Sequence, residues 1–327
     1  MKYWMHVGVA LLAWMLGLVQ VAQAQNPVAD WPNRQGRIIV GYPPGSGMDF
    51  TVRLVAESLR QKTGQPFIVE HRPGASGHIA TELVYNAPPD GYTLLCVPPA
   101  FATTPSLFSS VPFDPDAMLP ITIMATQANL LLVNVERLPN VRTLQDLIAR
   151  AKANPGKLNF GSSGNGGSQH LATEMLKMRA GNLQMVHVPY KGFAVLTGLV
   201  GGEVDMTFFT LGSAMPHVRA GKIRVLAVGS ERRDARIPEV PTLAETFPGM
   251  TSATWFAMLA PPRTPPELVA KINAAWVEAL RDPAAVKRLA DITVDVVANS
   301  PAEATAFIAE EKKRWGEVIR AASIRAD

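Results

Sequence analysis

The sequence predicts an α/β fold with mainly parallel sheets, on three observations. Short, nearly continuous apolar runs recur along the chain, amphipathic helix patterns lie between several of them, and glycine-rich turns join strand to helix. With 327 residues, 47% of them apolar and 18% charged, the chain is long enough for one large or two ordinary domains and too apolar for disorder.

In chain order, the first segment is not part of the fold. Residues 1–24 (MKYWMHVGVALLAWMLGLVQVAQA) carry one early lysine, an apolar run from Val7 to Val19 and the small-x-small site Ala22-Gln23-Ala24. They predict a secretory signal peptide cut after Ala24. The rival, an uncleaved membrane anchor, is disfavoured because the run falls short of the roughly 20 residues a span needs. No cysteine follows the cut for lipid attachment and no twin arginine precedes it, so the mature chain is expected to be soluble in the periplasm.

Removing that segment deletes a single charge, Lys2, from a balance of 31 Lys+Arg and 27 Asp+Glu. The basic residues are scattered, and the densest group, EKKRWGEVIR, is interleaved with glutamate. Nucleic acid is therefore not an expected partner. Cys96, the lone cysteine, sits in YTLLCVPP and reads as a buried small hydrophobe with no intramolecular disulfide.

RIIVGY, FIVEH, YTLLCV, NLLLVNV, KLNFGS, MVHVP, VDMTFF and IRVLAVG are the expected strands, apolar enough to be buried on both faces. In the first helix Val52, Val55, Ala56 and Leu59 form the buried stripe and Gly64 the stop; in a later one Leu171, Met175 and Met178 do the same before Gly181. TPPE (264–267) and SPAE (300–303) read as capping boxes with proline at the first helical position. They open helices striped by Val269, Ile272, Trp276 and Leu280, and by Phe307, Ile308, Trp315 and Ile319. The chain thus closes with helices that pack on a sheet formed earlier.

Two strand-turn-helix units share a chemistry: YPPGSGMD (42–49) and FGSSGNGGSQH (160–170). Both place glycines and hydroxyls at a helix N-terminus, where unsatisfied N–H groups and the helix dipole suit an anion. Ser46, or Ser162, Ser163 and Ser168, add donors without formal charge. Neither turn holds lysine or arginine, and neither matches the P-loop or the Rossmann spacing, so nucleoside triphosphates and dinucleotides are disfavoured and a modest anion such as a carboxylate remains. Taken singly, each turn is also explained as a tight connection in which Asp49 or Ser168 is only an N-cap.

Enzyme chemistry finds little support. GSSG is not the G-x-S-x-G elbow, and the histidines (His71, His78, His170, His187, His217) lack the spacing of a metal site, so no cofactor or metal is expected. Asp49, Glu70, Asp90 and Asp205 offer no pairing that sequence alone reveals.

The chain resembles the extracytoplasmic solute receptors of tripartite tricarboxylate transporters, the Bug family. The blocks IIVGYPPGSGMD, GQPFIVEHRPGASGHIATELVYNAPPDGYTLL, PGKLNFGSSGNGGSQHLATEM, VHVPYKG, GGEVDMTF, PHVRAGKIRVLAV and TWFAMLAPPRTPPELV carry the likeness, which covers about Trp31 to Ala322. The resemblance implies a two-lobed periplasmic binding protein of type II, a Venus flytrap whose lobes are each a mainly parallel sheet flanked by helices. It implies lobe 1 from residues 25–126 and 252–327, lobe 2 from 127–251, a small carboxylate ligand, membrane permease subunits as partners and a monomer.

Carried over position by position, it assigns the ligand to Pro44, Gly45, Ser46 and Gly47, with Asp49 shaping that turn, and to Ser162, Ser163, Gly164, Gly166, Ser168 and His170. Ala75, Ser76, Gly77, Ala100 and Phe101 are expected to border the cleft, and Tyr190, Lys191 and Gly192 to line the mouth of lobe 2, although Lys191 reads equally as a solvated cation. Two departures stand out. Phe209-Thr210 replaces the polar pair that many relatives carry after this strand, and FAVLTG after YKG is one residue shorter. The loss of an ammonium partner favours simple or aromatic carboxylates over amino acids. An exported receptor that signals to a membrane sensor kinase is the alternative function; a secreted hydrolase is a distant third.

Overall fold

The computed structural model describes residues 28–325, so the predicted signal segment and its cut lie outside the described residues. The first parallel set is β1 (Gly36–Val40), flanked by β2 (Phe67–His71) and β3 (Thr93–Val97). Helix α1 (Gly47–Thr63) links β1 to β2 and buries Val52, Val55, Ala56 and Leu59; α2 (His78–Tyr85) links β2 to β3, and α3 (Ala100–Leu107) follows β3. Gly64 ends α1 as expected, its φ of 72° being a left-handed value that glycine adopts without strain.

The long strand β4 (Leu119–Asn134) then leaves this lobe for the next. Helix α4 (Leu144–Ala153) follows, capped by Thr143 and Asp146. A second parallel set has β5 (Asn159–Ser162) between β6 (Val186–Pro189) and β7 (Met206–Thr210), with α5 (Ser168–Arg179) and α6 (Ala194–Val200) in its connections. Helix α7 (Leu211–Arg219), β8 (Ile223–Val228) and the short α8 (Leu243–Thr246) complete that lobe, and β9 (Ala253–Ala260) returns.

From Leu119 to Ala128, β4 pairs antiparallel with β9; from Asn129 to Val133 it pairs antiparallel with β7, and over Leu130–Asn134 with β8. An outgoing and a returning strand that cross side by side must run in opposite directions, so the sheet is mixed: parallel among β1, β2 and β3 and among β5, β6 and β7, and antiparallel where β4 or β9 pairs with them, with β8 or with each other. The run NLLLVNV marks only the later part of β4, and β9 was not among the expected strands. At the crossing, Asn129 N donates to Ser252 O at 3.0 Å, Gly229 N to Asn129 O at 2.7 Å and Ser252 N to Gly229 O at 2.8 Å. A Cβ on residue 229 would lie 2.1 Å from Ser252 O, so the knot admits only glycine.

The central strands are buried on both faces, which is why they read as unbroken apolar runs, whereas the outer strands β2 and β6 are half-exposed. Ile38 and Val40 join Leu59, Ile272 and Trp276 on one face of the first sheet, while Ile39 joins Ala80, Leu95 and Ile308 on the other. Cys96 is buried there, its thiol pushed up by burial and by the Asp49 charge, and behaves as the expected hydrophobe.

The chain ends in α9 (Pro266–Leu280), α10 (Pro283–Asp291), the two-residue β10 (Asp295–Val296) and α11 (Pro301–Ala321). Ser300 and Glu303 form the capping box expected for α11. The box expected at TPPE does not form. The helix starts one residue later than the box requires: Pro265 is the N-cap and has no side-chain acceptor, while the buried Thr264 hydroxyl donates to Pro261 O at 2.8 Å. Along α11, Ala304 and Ile308 pack in a core cluster of the first lobe, whereas Trp315, Val318 and Ile319 pack in one of the second. This helix therefore bridges the two lobes. Among the described residues no helix is long and apolar enough to cross a membrane.

Candidate functional site

The β1–α1 turn is built by Asp49. Its buried carboxylate accepts from Gly45 N at 3.0 Å, from Arg53 Nε at 2.9 Å and lies 2.9 Å from His71 Nε2, while Asp49 N donates to the cap Ser46 Oγ at 3.2 Å. The carboxylate faces away from the cleft and is matched by Arg53, so it fixes the turn without opposing an anion in front of it. Gly45 sits at φ 98°, which holds the turn open. The amide of Gly45 is thereby occupied by the protein itself. The N–H groups of Gly47 and Met48 are not: they lie in the first turn of α1, where the helix supplies no acceptor, and no acceptor meets them among the described residues.

The β5–α5 turn is organised differently. Ser162 is fully buried; its hydroxyl donates to Gly164 O at 2.9 Å, accepts from Gly164 N at 3.2 Å and lies 2.6 Å from His187 Nε2. His170 accepts from Gly166 N through Nδ1 at 3.0 Å and stacks on His187 with ring centroids 3.8 Å apart. Ser162 and His170 thus stand behind the turn, as supports rather than as the cleft-facing groups expected from sequence. Gly166 has a φ of 69°, and a Cβ there would come 2.4 Å from Leu107 Cδ1, so glycine lets α3 close against the turn. Unlike α1, helix α5 has no side-chain cap at its N-terminus, and among the described residues no acceptor meets the Ser168 and Gln169 N–H groups.

The stacked histidines give this turn a pH dependence. Burial first, then the His187 and Lys177 charges, lowers His170 to about 3; burial first, then Lys177, lowers His187 to about 4. Both are held below the ordinary value of 6.5, so the folded state favours the neutral rings, and their contribution is complete above pH 6.5 and lost as the pH falls from there toward about 4. We expect a loss on the order of 2 kcal/mol of stability across that window, read by urea unfolding, with His187→Phe flattening the profile.

The two turns face each other across a cleft. One chamber, of about 580 Å³, is lined by Tyr42, Ser46, Met48, Ser76, Ala100, Thr103, Phe108, Ser163, Gly164, Asn165, Gly166, Ser168, Thr254 and Phe256. A second, of about 550 Å³, is lined by Gly45, Ser46, Gly47, Phe50, Gln127, Ser163, Gln169, Gly192, Phe193, Phe209, Thr210, Ser213, Thr254 and Phe256 among others. Ser46, Ser163, Thr254 and Phe256 belong to both, so the chambers meet at a neck between the two turns. Neither lining contains lysine or arginine. Burial pushes the Tyr42 phenol up to about 12, so it serves as a neutral donor, here to Ser76 O at 2.9 Å.

Of the residues singled out from sequence, Gly45, Ser46, Gly47, Ser76, Ala100, Ser163, Gly164, Gly166, Ser168, Gly192 and Phe209 line these chambers. Pro44 and Ala75 lie outside both linings, and Gly77 and Phe101 border a crevice behind Tyr42 instead. Lys191 is exposed and lines neither chamber, and Tyr190 turns its hydroxyl to Glu203 at 2.9 Å. Sequence reasoning missed Phe50, Phe193, Gln127, Thr254 and Phe256; the last three stand on the crossing strands, whose segments were read only as connections.

Two α/β lobes joined by crossing strands, with a ligand-sized cleft at the junction, define a periplasmic binding protein. The tripartite tricarboxylate transporter family receptor model matches residues 51–324, and the chain belongs to that family. It is 34% identical over 295 residues to protein BugT of Bordetella pertussis, covering 89% of this chain and 90% of that one. It is 35% identical to a Cupriavidus necator protein encoded in the gbd 5′ region, covering 96% and 95%. Among solved structures, R. palustris Rpa4515 with adipate superposes with a TM-score of 0.79 at 34% identity, covering 90% of this chain and 99% of that one. MatC from Rhodopseudomonas palustris with bound malate gives 0.75 at 28% identity, covering 88% and 100%. The family is one of solute receptors, not of enzymes.

Proposed function

We propose that this chain captures a small carboxylate-bearing metabolite in the periplasm and delivers it to the permease subunits of a tripartite transporter. The observation that carries this reading is the pair of unsatisfied helix N-termini, of α1 and α5, on opposite sides of a neck without cations. A carboxylate at the neck accepts from Gly47 and Met48 N–H on one side and from Ser168 and Gln169 N–H on the other, while the Ser163 hydroxyl is held by Gln169 Oε1 at 2.7 Å. Neutral donors hold the charge firmly enough to close on and weakly enough to release. A ligand shifts the equilibrium between open and closed forms only through contacts that are better in the closed form, and facing donors on separate lobes supply that difference. In this reading the lobes part near Gln127 and Thr251, the exported chain is cut after Ala24, and it acts as a monomer.

The test is native mass spectrometry of freshly purified protein, followed by thermal shift with the released compound. A carboxylate adduct that restores the melting temperature is expected. A protein whose melting temperature responds only to amino acids, or to no carboxylate at all, contradicts the reading.

A further inference from the structure

We infer that the ligand carries a single carboxylate on a flat apolar body, and that Phe193 and Phe209 select it. This deepens the carboxylate reading above and rests on it. The second chamber is walled by aromatic rings from both lobes: Phe50 and Phe256 from the first, Phe193 and Phe209 from the second. Phe193 and Phe209 meet edge to face, with centroids 5.6 Å apart. Phe209 is 5% exposed within β7, whereas Phe193, at the N-cap of α6, is 60% exposed, the most exposed large hydrophobic side chain among the described residues. An apolar ring left in water at the lip of a ligand chamber gains burial only when something apolar fills the chamber or the lobes close over it.

A second carboxylate finds no cation in the lining; Arg288 is outside it, over the Phe50 ring at 5.6 Å. No lysine or arginine lines the chamber, and its one ionised rim group, Asp291, carries the wrong sign and is already paired with Lys287 at 3.2 Å. In the other chamber, hydroxyls such as Ser76 and Thr103 and the Asn165 amide are the polar groups, again without a cation. With the helix N-termini spent on the first carboxylate, a second one loses its hydration without charged compensation. A planar ring beside Phe209 stacks or meets its neighbours edge to face at no such cost.

Calorimetric titration of the full mature chain with benzoate and with adipate tests this, using Phe193→Ala and Phe209→Leu as variants. Benzoate is expected to bind at least about tenfold more tightly than adipate, and each variant to weaken benzoate about tenfold. Because Phe193 is exposed, its replacement leaves the melting temperature unchanged and keeps the test independent of folding. Adipate binding as tightly as benzoate, or benzoate affinity untouched by Phe193→Ala, overturns the inference and leaves the carboxylate reading standing. Failure of both acids to bind the unaltered protein overturns the inference alone, since the carboxylate reading is decided separately by the co-purified compound.

Discussion

Asp49→Ala is expected to lower ligand affinity by at least about a hundredfold and to cost about 3 kcal/mol of stability. The side chain is buried and serves Gly45 N, Arg53 and His71 at once, at 3.0, 2.9 and 2.9 Å. Its removal leaves the Gly45 amide and a ring nitrogen of His71 without their acceptor, and takes an acidic group from the first turn of α1, where the dipole favours one. The larger effect falls on binding, because Gly45 at φ 98° is held by that single hydrogen bond and Gly47 and Met48 follow it in the chain. Asp49→Asn, which keeps an acceptor for Gly45, should recover part of the affinity while losing the ion pair with Arg53. Urea unfolding and calorimetry separate the two losses. Affinity that survives Asp49→Ala in a folded protein would show that the turn does not hold the ligand.

Much of the lobe structure was legible in the sequence, for a local reason. Strands buried on both faces read as unbroken apolar runs, and helix stripes such as Val52, Val55, Ala56 and Leu59 repeat at the helical period, so pattern and burial coincide. The mixed character of the sheet was not legible. Strand direction across the crossing depends on how β4 and β9 meet in space, and nothing in LPITIMATQA or TSATWFAM marks the antiparallel pairing. The capping box at Ser300 formed and the one at TPPE did not, because the helix starts with Pro265 rather than Thr264 as its N-cap.

The site divides in the same way. Glycines and hydroxyls at helix N-termini located both turns, since their chemistry is local. Which of those groups face the cleft is decided by distant partners: His187 draws Ser162 inward, Gly166 N–H occupies His170, and Asp49 takes Gly45 N–H. The aromatic wall was harder still, because Phe50, Phe193, Phe209 and Phe256 come from four separate elements that only the closed topology brings together.

The central claim is that backbone donors, not side-chain charges, hold the ligand, and Gly47 allows it to be tested one hydrogen at a time. It is the first helical residue of α1, where proline is tolerated because the missing N–H has no intrahelical partner, and Ser46 before it is extended, at φ −87° and ψ 165°. A Cβ at this position meets nothing nearer than Gln127 Oε1 at 3.3 Å, so Gly47→Ala fills the space that proline would begin to fill while keeping the donor. Calorimetry on the two variants, each shown to melt like the unaltered chain, gives the decisive comparison. Gly47→Pro should lose about tenfold to a hundredfold in carboxylate affinity, the worth of one hydrogen bond to a charged acceptor, while Gly47→Ala stays within a few-fold. Equal affinities for the two would contradict the account.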